Sequence, residues 1–178
     1  GGNNTYTGQT TVIAGAGVIV TANNALGATG VGNETVILGP GGANSGAIGL
    51  SGGITYGAGE KVIGAGLSNT AANGAFASVQ RGIVQSISGD NTFAGNVEIS
   101  SAGITRFGTQ DGADLTLTGS ITRGAGVTGV TVLFRPGISG DWVTVSGSGS
   151  NWDSETLIFL TGGNTAAGGV RLGANDAL

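Results

Sequence analysis

The chain has 178 residues, 39 of them Gly, with no Cys, Met or His and a net charge of −4. Without His or Cys there is no imidazole base, no thiolate nucleophile and no disulfide framework. The basic residues Lys61, Arg81, Arg106, Arg123, Arg135 and Arg171 stand apart along the chain, which argues against nucleic acid or an anionic membrane surface as a partner. No apolar run approaches the ~20 residues needed to span a bilayer, so no membrane insertion by this segment is expected.

Glycine at this level is compatible with disorder, but two features oppose that. Hydrophobic residues make up 39% of the chain, with Val, Ile, Leu and Thr prominent. The glycines also fall singly between short apolar runs, without the strict every-third spacing of collagen. Many short strands joined by tight turns are therefore expected. The lack of Cys and the acidic, Thr/Ser/Asn/Gly-rich composition suit an exported bacterial protein. The chain begins at Gly1, so it reads as a fragment or repeat unit of a longer extracellular protein, with any targeting segment outside it.

No helical periodicity persists in chain order, because Gly interrupts every window of sufficient length. Short β-type runs recur instead: Thr11–Ile13, Val18–Val20, Thr35–Leu38, Ala47–Leu50, Gly53–Tyr56 and Lys61–Ile63. They continue with Phe76–Val79, Ile83–Ile87, Val97–Ile99, Ile104–Phe107, Leu115–Leu117, Val130–Leu133, Trp142–Val145 and Thr156–Leu160. Several alternate apolar with polar residues, which sets one face inward and the other in water. A sandwich or up-and-down barrel usually needs longer strands and hairpin turns. A solenoid needs short strands and frequent corners, where Gly and Asn tolerate positive φ.

Repeats support the solenoid. Gly2-Asn3-Asn4-Thr5-Tyr6-Thr7-Gly8 recurs as Gly89-Asp90-Asn91-Thr92-Phe93-Ala94-Gly95, and in degenerate form as Gly162–Gly168. Val18–Leu26 likewise matches Val170–Leu178. Thr5 to Thr92 is 87 positions and Thr92 to Thr165 is 73. With rungs of about 20–25 residues, these spacings predict seven or eight rungs, with three strands in each. The expectation is an all-β, right-handed parallel β-helix (β-solenoid) occupying 1–178 as a single segment.

The string Asn4-Thr5-Tyr6-Thr7-Gly8-Gln9-Thr10-Thr11-Val12-Ile13, continuing to Val20 and then Asn23-Asn24-Ala25-Leu26-Gly27, closely resembles the passenger-associated transport repeat. That repeat is also called the autotransporter-associated β-strand repeat. Similarity is good over Gly2–Gly27, moderate at Asp90–Phe107 and degenerate at Gly163–Leu178, where Ala166 replaces the aromatic. The resemblance implies a right-handed β-helical stalk in a secreted bacterial protein, often exported by type V secretion. It implies no catalytic residues.

In such a stack, Asn4, Asn91 and Asn164 become candidates for one corner position, where an Asn can bond to the Asn above and below. Tyr6 and Phe93 would occupy a matching site.

Candidate chemistry is sparse. Gln110-Asp111-Gly112-Ala113-Asp114-Leu115-Thr116-Leu117 faintly resembles a calcium-roll nonapeptide, but a roll needs consecutive copies; an Asp-Gly turn is the plainer reading. Asp153 and Glu155, with Asp141 as a neighbour, could serve glycoside chemistry, yet read more simply as solvated charge. Trp142 and Trp152 flank the Gly/Ser-rich segment 146–151, either to stack on a sugar or to cover the solenoid's side. Gly39–Asn44 and Gly57–Gly59 lack the Lys-Ser/Thr and helix of a phosphate loop, and the serines lack a base.

No catalytic, cofactor-binding or metal residue is assigned. The expected role is a structural stalk or fibre segment of a cell-surface protein, a spacer or scaffold for adhesion rather than an enzyme. Expected partners are neighbouring solenoid repeats or copies of the chain end to end, with a host surface or polysaccharide as the outside ligand. A self-assembling fibre subunit or adhesin is the alternative, and a polysaccharide-active β-helix enzyme the third reading.

Overall fold

The computed structural model describes residues 2–68, 76, 81–137, 140–152, 156–159 and 168–174. Its strands form three sheets. Sheet A holds β1 (Thr10–Val12), β3 (Thr35–Ile37), β6 (Lys61–Gly64), β9 (Asn96–Ile99) and β12 (Ile121–Arg123). Sheet B holds β2 (Gly17–Val20), β4 (Ala47–Ser51), β7 (Val84–Ser88), β10 (Gly103–Thr109), β13 (Val130–Arg135) and β15 (Thr156–Phe159). Sheet C holds β5 (Thr55–Tyr56), β8 (Asn91–Phe93), β11 (Leu115–Leu117), β14 (Trp142–Val145) and β16 (Gly169–Leu172). From β3 to β14 the chain visits A, B and C in turn, and the strand pairs within each sheet are parallel. The described residues form a parallel β-solenoid of about five turns.

Among the described residues the stack does not reach the seven or eight rungs expected from the repeat spacing. Along sheet A, Thr10 registers with Thr35 and Thr35 with Val62. Val62 then registers with Val97, and Val97 with Ile121. Corners lengthen most turns beyond the minimum. The step from Val62 to Val97 is the longest of these, because more residues separate β6 from β7 than separate the corresponding strands of the other turns. Phe76, from this connection, lies over the outer face of sheet B, where a Cβ on Gly17 or Gly49 would collide with its ring. An apolar side chain from one turn thus covers a face that would otherwise be wet.

Alternation within each strand builds the interior as columns. Ile48, Val84, Phe107 and Phe134 stack in sheet B, and the Phe107 and Phe134 rings lie 5.9 Å apart. Tyr56, Phe93, Leu117 and Val145 stack in sheet C, with the Tyr56 and Phe93 rings 6.3 Å apart. Sheet A contributes Thr35, Val62, Val97 and Ile121. All twelve are fully buried. Apart from Thr35 these are apolar, and complete burial of one such side chain stabilises by about 1.5–3 kcal/mol.

Corners stack as tightly as strands. Gly95, Gly119 and Gly147 follow sheet C in consecutive turns, and each sits on the main chain of the turn before. A Cβ on Gly119 would collide with the Gly95 carbonyl oxygen, and one on Gly147 with that of Gly119. Only glycine lets the turns approach this closely.

Most expected strands are present within a residue or two. The β8, β12 and β16 segments are not among the expected runs, because Asn91, Arg123 and Gly169 dilute their apolar signal. Only Phe76 of the Phe76–Val79 run is described.

Candidate functional site

The outer face of sheet C carries the most regular side-chain array among the described residues. Thr55 pairs with Thr92, Thr92 with Thr116, and Thr116 with Thr144, so one threonine stands in each of four successive turns. Their neighbours Tyr56, Phe93, Leu117 and Val145 are buried, which places the threonines outward, exposed or half-buried. Arg171 continues the column in the next turn. Two residues past Thr92, Thr116, Thr144 and Arg171 lie Ala94, Thr118, Ser146 and Gly173, small residues that are exposed or half-buried.

One edge of this face is an aspartate ladder. Asp90 Oδ1 accepts the N–H of Asp114 at 3.4 Å, and Asp114 Oδ1 accepts the N–H of Trp142 at 2.7 Å. Each carboxylate thereby ties its turn to the next. The Arg171 guanidinium lies 3.9 Å above the Trp142 ring centroid, a cation–π contact. Trp142 also packs beside Gly169, where a Cβ would lie 3.1 Å from the ring. Trp152 is 7% exposed and belongs to the core. The two tryptophans therefore do not form a joint sugar platform: one is a core residue and the other is stacked beneath Arg171.

The calcium-like string is spent on internal contacts. Asp111 pairs with Arg81 at 3.1 Å, and Asp114 holds Trp142. Asp141 is buried and accepts the Gly112 N–H with both oxygens, at 3.0 and 3.1 Å. Among the described residues no three acidic side chains gather as a metal site. Asp153 and Glu155 lie outside the described residues, as does Asn164. The Gly39–Asn44 loop is also committed to the protein: Gly41 N–H donates to Ser101 Oγ at 2.9 Å and Gly42 N–H to the Ile104 carbonyl at 2.8 Å.

Asn91 opens β8 and does not form the Asn-on-Asn ladder expected of it. It is 1% exposed, its Oδ1 accepts the Ile54 N–H at 2.9 Å, and its Nδ2 donates to Ser86 Oγ at 2.7 Å. Nδ2 also reaches the carbonyls of Ser88 and Gly89, both at 2.9 Å. Asn91 stacks against Leu115 rather than another Asn, so its bonds run to main chain and Ser. Asn4 is exposed and donates to the Ala25 carbonyl at 2.7 Å. Tyr6 is 45% exposed whereas Phe93 is buried, so the two motif aromatics differ in environment. Phe93 has a turn on either side, β5 and β11, while Tyr6 lies against the Gly27 corner and its hydroxyl bonds Thr10 Oγ1 at 2.8 Å.

Two clusters are not visible in the sequence. Arg81, Arg106 and Arg135 each stand about one turn from the next, and the fold brings them together. Arg81 and Arg106 are buried. Burial, and then the nearby Arg135 and Arg81 charges, push Arg106 down to about 10. The basic residues thus do cluster, correcting their apparent isolation along the chain. Most of this charge lies inside, with Asp111 on Arg81, rather than as an exposed stripe. The second cluster surrounds Glu60, a buried carboxyl facing Thr35 and Tyr56, whose pKa is raised chiefly by desolvation.

The fold and this face define a parallel β-solenoid with a hydroxyl-lined side. No family model, curated protein or solved structure matches the chain.

Proposed function

We propose that the chain is a structural segment, a stalk or spacer within a secreted or cell-surface bacterial protein that scaffolds adhesion and has no catalytic activity of its own. The observation that carries this reading is the continuous stacking of interior columns and corner bonds from turn to turn. Such a stack transmits load along its axis and can lengthen by adding turns. Right-handed winding is the expected chirality, because parallel crossovers are overwhelmingly right-handed. The similarity of Gly2–Gly27 to the passenger-associated transport repeat supports export and a surface location. Neighbouring repeats are the natural partners, with a host surface or polysaccharide beyond them.

A second reading, a self-associating fibre unit, is favoured by Leu172. It continues the inward column of Leu117 and Val145, yet is 54% exposed. A copy of the chain stacked on β16 would cover that leucine.

Tandem fusions of one, two and four copies test both readings by small-angle scattering over a concentration series. The spacer reading predicts a constant cross-section and a length growing by roughly 4.8 Å per turn, at constant mass. Mass that grows with concentration selects the fibre reading. Fusions that behave as independent beads on a string contradict both.

A further inference from the structure

Sheet C offers its hydroxyls in an arrangement that differs from the other two faces. On the outer face of sheet B the Phe76 ring lies against Gly17 and Gly49. On sheet A, the equivalent outward column reads Thr11, Val36, Ile63, Glu98 and Thr122, a mixture, and Lys61 forms a 2.8 Å ion pair with Glu98. General preference for β-branched residues accounts for such a mixture, since Val, Ile and Thr serve a strand equally well. It does not account for threonine in four successive turns.

The hydroxyls of Thr55, Thr92, Thr116 and Thr144 make no hydrogen bond to the described residues, although most polar side chains around them do, including Asn91, Asp90 and Asp114. They are left to bond solvent. Parallel pairing sets consecutive threonines about 4.8 Å apart. That repeat is close to the spacing of water molecules along the axes of ice. Ala94, Thr118 and Ser146 beside the column keep the neighbouring surface low. Methyls hold water by hydrophobic ordering while hydroxyls anchor it by hydrogen bonds, so the first water layer is arranged before it meets a crystal.

We propose that this face, centred on Thr92 and Thr116, binds ice. The ligand is the ordered water of a crystal surface, taken up across the Thr55–Thr144 column and its small-residue flank. Trp142 beneath Arg171 bounds the array on one side.

Thermal hysteresis and partitioning into a slowly grown ice hemisphere test the proposal on the purified chain. The native protein should shape ice crystals and concentrate in the ice fraction. Thr92→Tyr and Thr116→Tyr, which interrupt the column with bulk, should lose most of both effects, whereas Thr11→Tyr on sheet A should keep them. Circular dichroism verifies the fold of each variant; should a tyrosine variant fail to fold, Thr116→Lys supplies the same interruption with a solvated side chain. A native chain excluded from ice like a bulk solute overturns the proposal, as does full activity in the folded sheet C variants. A tandem rod that does not bind ice leaves the stalk reading standing, so the two fail separately.

Discussion

Asn91 reaches back one turn to accept the main-chain N–H of Ile54 at 2.9 Å, while its own amide group is spent on Ser86, Ser88 and Gly89. One buried side chain thus satisfies both a neighbouring turn and its own corner. Replacing it by Leu leaves the Ile54 N–H and several acceptors unpaired in a dry site. Asn91→Leu should destabilise the fold by about 1–3 kcal/mol, read from urea or thermal melts. An unchanged melt would show that water takes over these bonds.

The glycine corner column makes a second, steric prediction. Gly119→Ala places a methyl carbon against the Gly95 carbonyl, a main-chain atom that cannot swing aside. The turns must separate, at a cost of about 1–3 kcal/mol typical of overpacking. Ser120→Ala, next in the chain and half-buried, should cost less, because only the hydroxyl bond to Asn96 Oδ1 at 3.0 Å is lost. Equilibrium unfolding of both variants checks the order.

Much of this architecture is legible in the sequence, and the reasons for the rest are physical. Runs such as Val97–Ile99 and Leu115–Leu117 announce their strands because inward and outward positions alternate between apolar and polar. Asn91 is legible through its motif. Turn number is not, because corners vary in length and the step from Val62 to Val97 is the longest. The same irregularity hides the threonine column: Thr55, Thr92, Thr116 and Thr144 are unequally spaced along the chain, so no fixed period links them. A signal is present in the repeated Thr-then-apolar pair at each site: Thr55-Tyr56, Thr92-Phe93, Thr116-Leu117 and Thr144-Val145. The arginine cluster is hidden for a like reason, since contact across turns converts distant charges into neighbours.

Glu60 gives the fold a pH dependence of definite sign. Its carboxyl is buried beside Thr35 and Tyr56, and desolvation raises its pKa above the unfolded value, with Glu34 adding to the rise. A raised acid favours the folded state in its neutral form. Its contribution is therefore fully present below the ordinary carboxylate value, about 4.3, and is lost as pH climbs through the raised folded value. Glu60→Gln keeps a neutral polar group there. Melting temperatures across this range should show the native chain losing ground to Glu60→Gln as pH rises. Parallel curves for the two proteins would indicate that Glu60 stays hydrated.

The stalk account rests on residues meeting their counterparts one turn away, and the absence of native cysteine makes that register directly measurable. In the double variant Thr92→Cys/Thr116→Cys, the two Cα atoms sit on adjacent parallel strands about 4.8 Å apart, within disulfide reach. Thr116→Cys/Thr144→Cys should behave alike. Thr92→Cys/Thr144→Cys spans two strand spacings and lies out of reach. Mass spectrometry of the oxidised, folded proteins should find intramolecular bonds in the first two variants and none in the third. A bond in the two-turn variant, or free thiols in both one-turn variants, would contradict the solenoid register on which the account depends.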